Sequence, residues 1–127
     1  MATARIISRL FSLTLLALFA GSAAAGRAAA SPGQDLYNDE CASCHSVGSA
    51  STPSGPTLKG VVWRGVASLQ DFAYSRALRS AGGSWSPDRL DVFLSNTQAF
   101  APGTDMFFEI YDRDERRAII DYLRTLK

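Results

Sequence analysis

Cys41-Ala42-Ser43-Cys44-His45 holds both cysteines and the single histidine of a 127-residue chain. This pentapeptide constrains the fold more than any other feature. The spacing C-x-x-C-H is the attachment signature of a c-type haem. Two thiols at that spacing can reach the two vinyl groups on one porphyrin edge and form thioethers. A histidine directly after the second thiol then falls under the ring and can bind the iron. The expected cofactor is therefore one covalent haem c with its iron, attached at Cys41 and Cys44, with His45 as an axial ligand. The competing readings are a structural disulfide and a thioredoxin-like redox pair. The second calls for βαβ surroundings, and no strands are evident to build them. A zinc centre lacks further Cys or His ligands, and two cysteines cannot make a disulfide-rich scaffold.

No histidine is left for the opposite side of the iron. The chain has two methionines, Met1 and Met106. Met1 belongs to the N-terminal leader described below. Met106 lies in Ala101-Pro102-Gly103-Thr104-Asp105-Met106-Phe107-Phe108, a turn-rich loop. An isolated methionine is usually core filler, but this one is not on a helical stripe. A His/Met pair favours reduced iron and raises its potential. Iron with six ligands has no open position for substrate, so the pattern points to electron transfer rather than to a haem enzyme or a gas carrier.

Residues 1–30 contain no acidic side chain. Arg5 and Arg9 precede an apolar run from Leu10 to Ala20, and Gly21 to Ala25 are all small. This is the pattern of a secretory signal peptide. Cleavage is expected after Ala25 or Ala30, leaving a domain over 31–127 in the periplasm. A membrane-tethered form would retain the leader. Leu10 to Ala25 is sixteen residues, short of the ~20 needed to span a bilayer. Loss of Arg5, Arg9 and Arg27 leaves 10 basic against 12 acidic groups. A mildly acidic domain without a basic run is a poor nucleic-acid binder, because that affinity rests on clustered Lys and Arg. A domain of roughly 100 residues is only marginally stable by itself, so a group filling its centre would matter.

The exported part reads as three to five short helices joined by long loops. Gln34 to Cys44 carries Leu36, Tyr37 and Cys41 on one side. Val47 to Gly60 is a loop by its Gly, Ser, Thr and Pro content. Val61-Val62-Trp63 could be a strand fragment, though no sheet is in prospect. Leu69 to Ala81 reads as a helix stopped by Gly82-Gly83. Ser86-Pro87 starts another, with serine as cap and proline in the first turn. Thr97 to Phe108 reads as loop. Asp112 and Glu115 form a capping box ahead of the stripe Ile119, Ile120, Leu123 and Leu126. Two long loops in so small a domain imply that they wrap something or carry function.

At this level the chain resembles the class I cytochromes c, nearest in pattern to the bacterial cytochrome c2 and mitochondrial cytochrome c group. The resemblance spans nearly all of Gly33 to Lys127. It implies an all-α fold of short helices wrapped around one haem, and one-electron shuttling. Gly33 and Tyr37 match an N-terminal glycine and aromatic that pack against a C-terminal pair, here Tyr122 and Leu123. Gly55-Pro56-x-Leu58-x-Gly60 matches a loop whose proline carbonyl buttresses the proximal histidine. Arg64, Tyr74 and Trp85 match side chains that bond the haem propionates. Pro102-Gly103-Thr104-x-Met106 matches the axial methionine loop, and Phe108 a phenylalanine at the haem edge. Phe100 stands where many relatives have a tyrosine reaching the methionine sulfur. Asp105 replaces a lysine of mitochondrial proteins.

The expected function is a periplasmic one-electron carrier rather than an enzyme. Its docking edge would comprise Ser43, Val47, Asp105, Phe107 and Phe108. Expected partners are redox proteins: a periplasmic dehydrogenase, a membrane oxidoreductase or a terminal oxidase. Only Lys59 and Lys127 exist, so the lysine ring that steers mitochondrial proteins is absent. A neutral or basic docking surface is the expected match, since charge steers encounter. Three alternatives stay open: an obligate subunit of a sulfite- or alcohol-oxidising dehydrogenase, a haem enzyme or gas sensor in which Met106 dissociates, and the tethered form.

Overall fold

The computed structural model describes residues 29–127. The expected leader and its Ala25 cleavage point lie outside the described residues. Five helices follow in order: α1 Pro32–Glu40, α2 Arg76–Ala81, α3 Pro87–Ser95, α4 Thr97–Phe100 and α5 Arg113–Thr125. Among the described residues there is no strand, only an isolated antiparallel bridge between Gly65 and Ser84. The architecture is all-α, as expected.

Each helix starts where a short polar side chain can take an orphan backbone N–H. Ser31 accepts from Gln34, Ser75 from Leu78, Ser86 from Arg89 and Asn96 from Ala99. Asp112 accepts from Asp114 and Glu115 at the head of α5. α1 and α3 both carry proline in the first turn.

α1 crosses α5 at Gly33. A Cβ there would sit 2.0 Å from the carbonyl oxygen of Ala118, so only glycine permits this approach. Beside it Tyr37 and Tyr122 pack with ring centroids 5.5 Å apart. Leu123 is buried, with Ile119 and Ile120. α3 supplies Leu90, Phe93 and Leu94 to the same core.

Four boundaries differ from the sequence reading. α1 begins at Pro32 and ends at Glu40, so Cys41 to Cys44 sit in turns after it. The expected helix from Leu69 shrinks to Arg76–Ala81. Upstream of it, Phe72 and Tyr74 pack edge to face at 5.0 Å and line a central cavity. Their apolar rings serve the cavity rather than a helical stripe. The expected loop from Thr97 opens with the one-turn α4, too short to show periodicity. The Val61–Trp63 segment is turn, with Trp63 at φ +71°. Its nearest approach to a strand is the pairing of Trp63 N–H with the Trp85 carbonyl and of Trp85 N–H with the Arg64 carbonyl, both 2.8 Å.

Candidate functional site

The helices and loops enclose a cavity of about 410 Å3, within the usual size range for a cofactor pocket. Its lining is mostly apolar: Leu58, Val61, Leu90, Phe93, Leu94, Ile119 and Leu123 among others. Cys41, Cys44 and His45 line it, and so does Met106.

His45 is held at both ends. Its Nδ1 lies 2.7 Å from the Pro56 carbonyl. A carbonyl only accepts, so Nδ1 carries the proton and Nε2 keeps a free lone pair. Its own carbonyl accepts from the Tyr37 hydroxyl at 2.8 Å. Burial pushes the imidazole pKa down, against the upward pull of the Pro56 bond, which keeps the ring neutral. Gly55 makes room for it: a Cβ there would stand 2.7 Å from both Cε1 and Nδ1.

The two thiols are not bonded to each other; Cys41 is buried and Cys44 exposed. Burial first, then the charge of Glu40, push the Cys41 thiol up to about 11. A reactive redox cysteine has a lowered pKa, so this environment speaks against the thioredoxin-like reading.

The loop from Ser46 to Thr57 is cross-braced. Thr52 Oγ1 donates to the Cys44 carbonyl, and Thr57 Oγ1 lies 2.5 Å from the Gly48 carbonyl. The Asp71 carboxylate accepts from the Ser51 N–H at 2.9 Å. Arg64 lines the cavity and donates to the carbonyls of Thr57 (2.7 Å) and Lys59 (2.9 Å). Tyr74 and Trp85 are buried on the same lining.

The Met106 segment also lines the cavity, and it is anchored to α4. Thr97, with no exposed surface, places Oγ1 2.5 Å from the Met106 carbonyl and 3.0 Å from that of Phe108. It also accepts from the Phe108 N–H at 3.1 Å. Gln98 donates to the Thr104 carbonyl at 2.8 Å and accepts from Gly103. Gly103 adopts φ +89°, which the turn after Pro102 requires.

Of the expected edge residues, Asp105, Phe107 and Phe108 line the cavity, whereas Ser43 and Val47 do not. Ser43 is exposed, with its hydroxyl 3.7 Å from the Cys44 sulfur. Phe100 is also absent from the lining. It stacks on Trp85 at 5.7 Å and meets Phe93 edge to face at 5.3 Å. The two rings it packs on, Trp85 and Phe93, both line the cavity. Sequence reasoning missed Gly55 as a steric requirement, and it missed Thr97, Gln98 and Asp71. Short polar residues in loops carry little pattern by themselves.

The cytochrome c family model matches residues 30–127. The chain belongs to the cytochrome c family. Cytochrome c-type cyt cy of Rhodobacter capsulatus is 37% identical over 98 residues, covering 76% of this chain and 49% of that protein. The chain thus spans about half the length of that relative. Cytochrome c of Tetrahymena pyriformis is 38% identical over 98 residues, covering 76% and 88%. Among solved structures, cytochrome cH from Methylobacterium extorquens superposes with a TM-score of 0.68 at 33% identity, covering 74% of this chain and 95% of that one. The cytochrome c cofactor is one covalent haem c with its iron, and Cys41 and Cys44 fit its attachment motif. The apolar lining, the neutral imidazole and the two cavity-facing cysteines suit that group. Cytochromes c are electron-transfer proteins that work with redox partners. Among the described residues no helix is long and apolar enough to cross a membrane.

Proposed function

We propose that this chain is an exported one-electron carrier with His45 and Met106 as its axial ligands. The observation that carries the reading is that a neutral His45 and Met106 line one apolar cavity with both cysteines. The haem, when bound, supplies the Fe(II)/Fe(III) couple. Cys41 and Cys44 tether it, and Pro56 holds the His45 proton at Nδ1. Arg64 has guanidinium N–H groups beyond the two bonds it makes to the backbone, and with Tyr74 and Trp85 on the same lining it would supply donors to the propionates. Phe93, Leu94 and Ile119 keep water out. With His45 and Met106 both bound, the iron would have no open position for a substrate, so its role would be electron transfer rather than bond chemistry.

Residues 1–30 act as the leader, cleaved after Ala25 or Ala30, and deliver the domain to the periplasm, where haem attachment takes place. Partners dock at the cavity mouth. Two measurements test this. The oxidised holoprotein should show the near-infrared charge-transfer band of methionine-ligated ferric haem, and carbon monoxide should leave the reduced spectrum unchanged. A missing band together with carbon monoxide binding would refute Met106 ligation. The mass of the periplasmic protein should correspond to a start at residue 26 or 31.

A further inference from the structure

A cation without a counter-ion stands behind the aromatic wall of the cavity. Trp85 and Phe93 are on the lining, and Phe100, which is not, packs on both. The Arg89 guanidinium lies over the Phe100 ring, with Cζ 5.2 Å from its centroid. By contact, the order leading away from the cavity is Trp85 and Phe93, then Phe100, then Arg89.

The fold holds the guanidinium at that place. Nη2 donates to the carbonyl of Ala81, the last residue of α2, at 2.8 Å. Gly83, at φ +73°, leaves the space: a Cβ there would stand 2.7 Å from Nη1. Nε is buried and has no hydrogen-bond partner, a cost that asks for an explanation. The side chain as a whole is half-buried. The ion pairs among the described residues are Arg116–Asp91, Arg117–Asp114 and Arg124–Asp121, so no carboxylate lies within pairing distance of Arg89. Asp88, next to it in sequence, is exposed, and Asp91 is bound to Arg116. The Ala81 carbonyl at the end of α2 offers only a partial negative charge. The charge on Arg89 is permanent, because a guanidinium keeps its proton at any working pH.

We propose that Arg89 tunes the redox couple: its cation, fixed behind Phe100, favours the reduced over the oxidised iron and raises the reduction potential. The inference rests on the carrier reading above and deepens it. Reduction brings one electron into the cavity and removes one unit of positive charge from it, with no bond made or broken. A fixed cation nearby therefore repels the oxidised site more than the reduced one. The rings between them weaken that repulsion less than water would, and salt screens a partly buried charge only slightly. Arg89 is not on the lining, so it acts by its charge and not by holding a group in place.

The test is a spectroelectrochemical titration of the holoprotein at high salt. Arg89→Gln removes the charge but keeps an amide donor for the Ala81 carbonyl. Held at the parent's midpoint, its reduced-to-oxidised ratio should fall about threefold, the scale of a unit charge a few aromatic layers away. Arg89→Lys keeps the charge and should keep most of the ratio. Arg113→Gln makes the same change in net charge at an exposed, unpaired position on α5 and should leave the ratio as it is. Guanidinium unfolding of both redox states supplies a second readout. Arg89→Gln should cost the ferrous protein more stability than the ferric one, whereas a packing role would lower both equally. An unchanged ratio in Arg89→Gln, an equal fall in Arg89→Lys or Arg113→Gln, or equal losses in the two redox states would overturn the inference. The methionine charge-transfer band and reversible one-electron reduction are read on the parent in the same series. Their absence there would sink the carrier reading, whereas their presence with an unmoved potential in Arg89→Gln would sink only the role of Arg89.

Discussion

Gly55 carries a steric burden out of proportion to its size. A methyl group there overlaps the His45 ring at 2.7 Å, and the ring cannot yield without losing its Pro56 bond. Gly55→Ala is expected to cost about 1–3 kcal/mol, the usual price of overpacking. Guanidinium unfolding of the holoprotein measures it. Gly48→Ala is the control: a Cβ there meets nothing within 4 Å, so its effect should stay within about 0.5 kcal/mol. Asp71 offers a pH signature. Hydrogen bonds from the Ser51 backbone and side chain hold its carboxyl below the ordinary value. A depressed folded pKa gives stability that is fully present above the unfolded value of ~3.9 and lost as pH falls through the folded one. Asp71→Asn should therefore be less stable than the parent at neutral pH. The gap should close in acid, where both side chains are neutral. Denaturant midpoints measured across that range check this.

At the scale of elements, α4 holds the methionine segment in place. Thr97→Val removes the hydroxyl that meets the Met106 and Phe108 carbonyls and the Phe108 N–H. The Phe108 carbonyl keeps the Thr97 N–H and the Met106 carbonyl keeps the Gln98 amide at 3.4 Å, but the Phe108 N–H is left without a partner, and an unpaired buried donor costs about 1–3 kcal/mol. The variant should unfold at lower denaturant and show a weaker methionine charge-transfer band, and Thr97→Ser should restore both. The sequence did not reveal α4, because one turn has no periodicity and its only local marker is the Asn96 cap. It did reveal α3 and α5, whose caps and apolar stripes agree. The helix expected from Leu69 was misjudged because Phe72 and Tyr74 mimic a core-facing stripe while lining a cavity. The attachment motif and Met106 stood out because the chain has no other cysteine or histidine, and no other methionine but Met1. Phe93 went unnoticed as a cavity residue because it also fits the α3 stripe.

For the whole molecule, the centre belongs to the cofactor. Without a group in it, the cavity of about 410 Å3 leaves its apolar lining without packing partners, in a domain whose net stability is small. The Cys41→Ala/Cys44→Ala chain, purified without haem, should therefore lose most of its helical circular dichroism and its cooperative thermal transition. A native-like melting curve would contradict this.

The two-ended hold on His45, by Tyr37 at its carbonyl and Pro56 at its ring, ties the proximal side to the α1–α5 crossing as well as to the loop. On the proposed ligation, a ring held in this way would have little room to recoil when the charge beside it changed by one. The inner-sphere part of the reorganisation energy would then be small, and the thermal activation of each hop would fall mainly on solvent and on the partner surface.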